Sequence, residues 1–201
     1  MYIIGITGGT GAGKSSAVKA LQTLGAEAID CDVLYHDMLT TNSDMISEIA
    51  TAFNDVLING EVDRCKLSEV VWSDPASLQK LNDITHKYVS EEIKQRIVSF
   101  KAEDVKTVAI DAIALIESGQ DKKCDVVIGI IAPLAMRVSR IIQRDNLSRE
   151  RALNRVNAQQ PESFYKKRCD YILENVYSTE VEFEEKCIEF FKELIKRGGT
   201  A

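Results

Sequence analysis

The chain has 201 residues, of which 45% are apolar and 28% charged, the composition of one soluble globular domain with a proper core and room for a small insertion. Lys+Arg 25 against Asp+Glu 31 leaves a net charge of −6, which argues against a nucleic-acid binder. No apolar run approaches the roughly 20 residues of a membrane span, so no membrane partner is expected. Met1-Tyr2-Ile3-Ile4-Gly5 runs straight into a strand without a basic leader, and the five cysteines never form C-x-x-C. These features predict a cytoplasmic protein with reduced thiols, carrying neither a disulfide framework nor a zinc site.

In chain order, the first apolar run, Tyr2–Thr7, reads as a strand. A glycine-rich stretch follows it, then an amphipathic helix with Ala17, Leu21 and Leu24 inward, ended by Gly25. Ala26–Asp30 is a second strand, expected beside the first. The stretch 33–103 is far longer than one crossover needs and looks helical, which predicts an inserted helical subdomain. Within it a long helix opens with Asp74 as cap and Pro75 in the first turn, carrying Leu78, Leu81, Ile84, Tyr88, Ile93 and Ile97 inward. Thr107–Ile113 and Asp125–Ile131 are apolar almost throughout, as expected of parallel strands covered on both faces.

Leu134–Arg168 carries nine Lys/Arg against three Asp/Glu, a +6 segment inside an acidic protein. A fifth strand, Asp170–Glu174, precedes a final helix that opens with the capping box Thr179/Glu182. That helix turns Phe183, Cys187, Phe190 and Leu194 inward and stops at Gly198-Gly199. Strands alternating with helices predict an α/β fold of three layers around a parallel five-stranded sheet. The core takes 1–32, 104–133 and 169–201, the helical insertion 33–103, and an Arg-rich lid 134–168.

The strongest motif is Gly8-Gly9-Thr10-Gly11-Ala12-Gly13-Lys14-Ser15, which matches G-x-x-x-x-G-K-[ST] at every required position and lies between a strand and a helix. Glycines let the backbone wrap phosphate oxygens with its N–H groups, and the helix N-terminus adds partial positive charge. Gly8, Gly9, Thr10, Gly11, Ala12, Gly13, Lys14, Ser15 and Ser16 are therefore the expected nucleotide-binding set. Lys14 reaches the β- and γ-phosphates of ATP, and the Ser15 hydroxyl ligates Mg²⁺. Asp111, at the end of the third strand, either holds that Mg²⁺ through water or is a strand-end turn residue.

Neither N-K-x-D nor D-x-x-G is present, so a GTPase switch is disfavoured, and Val108-Ala109-Ile110-Asp111 is followed by Ala112 where an assembly ATPase carries Glu. Arg137, Arg140 and Arg144 fall at i, i+3 and i+7 on one helical face, suited to a lid that neutralises a transferred phosphoryl group. A small-molecule kinase is the reading these features favour. Asp32, just past the second strand, either takes the proton of an acceptor hydroxyl or caps the helix that follows. His36, one turn on, binds the acceptor or faces water. His86 reads as a structural histidine.

Taken together the residues resemble the dephospho-coenzyme A kinase family along nearly the whole chain. The resemblance rests on the phosphate loop, Ile29-Asp30-Cys31-Asp32 with His36, Gly60-Glu61-Val62-Asp63-Arg64 with Leu67, Ile141–Asp145 with Ala158-Gln159, and Asp170–Asn175. It implies transfer of the ATP γ-phosphate to the ribose 3′-hydroxyl of dephospho-coenzyme A, the last step of coenzyme A synthesis, with Mg²⁺. It further implies Asp32 as general base, Lys14 as phosphate clamp, Arg140 and Arg144 as lid arginines, and Asn175 near the adenine. His36, Arg64, His86 and Glu117 would then face the acceptor. Two segments depart from the family pattern: Ile113-Ala114-Leu115-Ile116-Glu117 keeps the Glu but lacks the Pro, and His86-Lys87 stands where His-Pro is usual. The alternatives are a kinase for another hydroxyl-bearing metabolite, such as a nucleoside or sugar acid, and a non-catalytic nucleotide-dependent switch. A monomer or small homo-oligomer is expected.

Overall fold

The computed structural model describes residues 1–198, with Trp72 and Ser73 described in backbone only. The elements run β1 (Tyr2–Thr7), α1 (Lys14–Thr23), β2 (Glu27–Asp30), α2 (Cys31–Thr41), α3 (Ser43–Ala52), β3 (Leu57–Ile58), β4 (Glu61–Val62), α4 (Arg64–Ser73) and α5 (Pro75–Ala102). They continue with β5 (Thr107–Asp111), β6 (Val126–Ile131), α6 (Leu134–Asp145), α7 (Arg149–Asn157), α8 (Glu162–Arg168), β7 (Tyr171–Glu174) and α9 (Glu180–Gly198). The chain divides into two compact units, Asp30–Ser99 and the remainder.

The larger unit is built on a parallel five-stranded sheet in the order β2-β5-β1-β6-β7. β1 is central, with Ile6 opposite Asp111 of β5 and Ile128 of β6. The second strand is thus not beside the first, as the sequence reading had it; β5 lies between them. Burial explains the order: Val108, Ala109 and Ile110 are wholly enclosed, as an interior strand requires, whereas Ile29 alone is buried in Glu27–Asp30, an edge pattern. β5 also ends at Asp111 rather than Ile113, because the Thr7 hydroxyl donates to the Ile113 carbonyl and turns the chain away.

One face of the sheet is covered by α1 and α9. Ala17, Ala20 and Leu21 of α1 and Phe183, Cys187, Phe191 and Leu194 of α9 pack with Ile4, Ile6, Ile128 and Ile130 in one cluster. The capping box of α9 forms as predicted: Thr179 N–H donates to Glu182 Oε2, and Glu182 N–H donates to Thr179 Oγ1. Phe191, not Phe190, is the buried ring, because successive inward positions drift from a strict spacing when a helix repeats every 3.6 residues. Phe190 instead lies edge-on against Tyr171 and Phe191. Gly198 is still helical rather than the stop, and Gly199 lies outside the described residues.

The smaller unit holds α2 to α5, with Leu81, Ile84, Thr85, Val89, Ile93 and Ile97 of α5 buried. Leu78 and Tyr88 are half-buried; Val89 takes the inward place assigned to Tyr88, whose hydroxyl reaches out to Glu48 at 2.7 Å. Asp74 caps α5 as expected, accepting from the N–H groups of Ala76 and Ser77. The insertion is not wholly helical. β3 and β4 form an antiparallel hairpin about Asn59-Gly60, with φ of 52° and 87°, the left-handed pair that a two-residue hairpin turn needs. Asn-Gly was the local signal for it.

Replacing a buried phenylalanine removes its transfer energy and leaves a cavity. Phe191→Ala is expected to lower stability by about 3–5 kcal/mol, and Phe190→Ala by a clearly smaller amount, read as urea unfolding midpoints.

Candidate active site

The loop Gly8–Gly13 leaves β1 at its carboxyl end and enters α1 at Lys14. Gly8, Gly11 and Gly13 all have positive φ and no room for a β-carbon. Gly8 has φ 143° and passes so close to Ile130 that a β-carbon would collide with the Ile130 carbonyl oxygen. Gly13 caps α1 with φ 109°, and a β-carbon there would strike the Asn175 side-chain nitrogen. A turn bond from Ala12 N–H to the Gly9 carbonyl, 3.1 Å, rounds the loop. Lys14 is half-buried, Ser15 exposed and Ser16 buried, at the first turn of a ten-residue helix. The positive end of that helix's dipole therefore coincides with the loop's concavity.

In the segment expected to form a lid, α6 packs on α7 as a hairpin around Val138, Ile141, Ala152 and Val156. That packing buries four of the segment's apolar side chains, and four of its arginines fall into two groups. Arg137 Nε donates to the Thr10 carbonyl at 3.0 Å, and Arg140 Nη1 donates to the Gly11 carbonyl at 3.2 Å. Burial pushes both guanidinium groups below their ordinary pKa, though an arginine keeps its proton. Arg144, further along the same stripe, instead forms a two-point pair with Asp145 at 2.7 and 3.0 Å, and Arg155 reaches the same carboxylate at 2.7 Å. Gln159, in the turn after α7, accepts from Thr10 N–H at 2.9 Å and from Arg137 Nη2 at 2.7 Å, while its own amide donates to Thr10 Oγ1 at 2.6 Å. Thr10, expected among the nucleotide ligands, thus has its amide and hydroxyl engaged by Gln159.

Asn175, just past β7, is buried and donates to the Ala12 carbonyl at 2.9 Å. A cavity of about 180 Å³ opens between Gly9 and Ala12 of the loop, the end of β6 and the lid residues Arg137, Glu162 and Tyr165. Tyr165 is buried, and its hydroxyl is pushed up to about 12 by burial first and by the negative charge of Glu117 second. Glu117 is exposed, in the turns that follow β5. Asp111 ends β5 in register with Ile6, two residues before Gly8.

In the smaller unit, the capping role left open for Asp32 belongs to Asp30. Its Oδ1 accepts from the N–H groups of Asp32 and Val33, both at 2.9 Å. Asp32 is exposed in the first turn of α2. His36 Nε2 lies 3.2 Å from Arg64 Nη2. Arginine can only donate, so the acceptor in this contact is His36 Nε2. His86 is half-buried in α5, where burial pushes its pKa down and Asp83 pulls it partly back. Lys87, where the family pattern has Pro, pairs with Glu48 at 2.6 Å. Arg137, Gln159 and Tyr165 were absent from the predicted site. The arginine stripe already contained Arg137, and Ala158-Gln159 was among the motifs behind the resemblance, but no local signal says that this glutamine folds onto a loop 149 residues away.

A family model for dephospho-CoA kinase matches residues 2–180. The chain belongs to the dephospho-CoA kinase family. The dephospho-CoA kinase of Lactobacillus johnsonii is 30% identical over 195 residues, covering 96% of this chain and 98% of that protein. That of Bacillus licheniformis is 34% identical over 176 residues, covering 86% and 87%. The solved dephospho-CoA kinase from Campylobacter jejuni superposes with a TM-score of 0.71 at 26% identity, covering 98% of each chain. Family membership makes the chain an enzyme, a P-loop kinase, and agrees with the glycine loop and parallel sheet described above.

Two outcomes follow for this family member. Gly8→Ala is expected to abolish nucleotide binding while the sheet still folds, measured by ATP titration beside circular dichroism. Burial lowers the pKa of His86, so the unfolded chain takes up its proton first as pH falls below about 6.5. Stability should therefore decline from pH 7 downward through the depressed folded pKa, and His86→Gln should remove that part of the slope in urea midpoints.

Proposed function

We propose that this chain transfers the γ-phosphate of ATP to the ribose 3′-hydroxyl of dephospho-coenzyme A, releasing ADP and coenzyme A in the cytoplasm. The observation that carries the reading is the intact loop Gly8–Ser15, seated between β1 and α1, in a chain matched by the family over residues 2–180. Phosphoryl transfer asks the protein for positioning and for positive charge where negative charge gathers. Lys14, at the N-terminus of α1, supplies charge beside the loop amides. Arg144 supplies it from the lid, exchanging Asp145 for the transferred group. Asn175 borders the nucleotide.

Asp32, exposed in the first turn of α2, is the base that accepts or orients the acceptor proton. His36 and Arg64, already joined, bind the acceptor together with His86 and Glu117. Mg²⁺ fits the donor set: the Ser15 hydroxyl and the Asp111 carboxylate are hard oxygen groups in the same unit, and no cluster of three or more His, Cys, Asp or Glu occurs among the described residues. A cation held by one or two protein oxygens plus phosphates and water is the usual arrangement for Mg²⁺. When bound it neutralises phosphate charge.

The deciding assay follows ADP release from Mg·ATP with dephospho-coenzyme A, adenosine or gluconate as acceptor. Turnover with dephospho-coenzyme A alone, with coenzyme A appearing, is the expected result; turnover with another acceptor instead would overturn the substrate assignment. Asp32→Asn is expected to lower kcat by about 10²–10⁴-fold with ATP affinity little changed, and Lys14→Ala to abolish turnover. Undiminished kcat in Asp32→Asn would remove the base assignment.

A further inference from the structure

Three consecutive carbonyl groups of the phosphate loop each accept a hydrogen bond from a different side chain. Arg137 holds Thr10 at 3.0 Å, Arg140 holds Gly11 at 3.2 Å, and Asn175 holds Ala12 at 2.9 Å. A peptide group is planar and trans, so the carbonyl of one residue and the N–H of the next point in opposite directions. Fixing carbonyls 10, 11 and 12 on their donors therefore turns the N–H groups of Gly11, Ala12 and Gly13 away from those donors. The Ala12 N–H closes the internal turn to Gly9, which leaves those of Gly11 and Gly13 aimed into the concavity where an anion is held.

The donors are themselves cross-linked. Arg140 Nη2 also donates to Asn175 Oδ1 at 3.1 Å and to the Tyr177 carbonyl at 3.0 Å. Gln159 fixes Arg137 and Thr10 together. We propose that Arg140, with Arg137 and Asn175, is a positioning residue: it clamps the phosphate loop from its carbonyl side and keeps the loop amides preorganised for the phosphates that ATP and ADP share. On this assignment Arg140 acts through the loop and not on the transferred phosphoryl group, the role the sequence resemblance implied for it. The inference rests on the reading of the loop as an ATP site. A preformed nest costs nothing to organise when the nucleotide arrives, whereas an unclamped loop must be ordered by the ligand and binds more weakly.

Calorimetric titration of ADP and of a non-hydrolysable ATP analogue into the wild type, Arg140→Lys, Asn175→Ala and Gln159→Ala separates the two roles. Lysine retains the charge but cannot span the three acceptors that the planar guanidinium holds. Each variant is expected to weaken ADP and the analogue by the same factor, on the order of tenfold for Arg140→Lys. Because Arg140 and Asn175 touch, the double variant should lose less than the product of the single losses. Unchanged ADP affinity with a fallen kcat would make Arg140 a transition-state group and overturn the clamp. Unchanged affinity for both ligands would overturn it as well. A wild type that binds neither nucleotide would remove the ATP reading, and the clamp with it. The urea midpoint reports the fold of each variant, and should one position fail to fold, the remaining two read the same clamp.

Discussion

The nucleotide side of this protein depends on β1 being trapped between two parallel neighbours. Ile4 and Ile6 are wholly enclosed, with β5 on one side and β6 on the other, so the chain can leave the sheet only at the carboxyl edge. That edge is where parallel sheets of this kind bind ligands. The exit is pinned from both neighbours: Thr7 bonds the Ile113 carbonyl beyond β5, and Gly8 lies against the Ile130 carbonyl in β6. A loop so anchored has little freedom left except the orientation of its own peptide groups. That remaining freedom is what Arg137, Arg140 and Asn175 address.

Charge is distributed to match. The protein is acidic overall at −6, yet α6 to α8 carry nine of its 25 Lys and Arg against three Asp and Glu over Leu134–Arg168. Arg137 and Arg140 lie half-buried against backbone carbonyls, where a charge-assisted hydrogen bond exceeds a neutral one in strength. Arg144 and Arg155 share Asp145 at the surface, an arrangement worth little to stability and therefore easily exchanged for a ligand anion. One stripe of arginines thus contains a fixed part and an exchangeable part. Burial pushes the thiols of Cys124 and Cys187 up to about 12, which keeps those two protonated and unreactive.

The glycine loop and the helix caps were legible in the sequence, because their signals are short. The phosphate loop declares itself through glycines at fixed spacing, and its strand and helix through their apolar periods. Asp74 and the Thr179/Glu182 box announce helix starts because a cap bonds amides two or three residues away. The Asn59-Gly60 turn was equally local and was passed over in favour of a helical insertion. Phe190 and Tyr88 were assigned inward, where Phe191 and Val89 are buried, since a one-residue error is enough to move a side chain about 100° around a helix.

Local patterns along the chain decided that there would be an α/β sheet, a phosphate loop, caps at the helix starts and a basic segment with an arginine stripe. Tertiary structure alone decided that β5 separates β2 from β1, that Asp30 rather than Asp32 caps α2, and which arginine meets which partner. Arg137 and Thr10 are 127 residues apart, and Asn175 and Ala12 are 163 apart. Such pairs carry no periodicity and no spacing rule, because what brings them together is the packing of whole elements against one another. A guanidinium on an amphipathic helix has the same sequence whether it faces water, a phosphate or a backbone carbonyl; only the position of the neighbouring loop distinguishes the three.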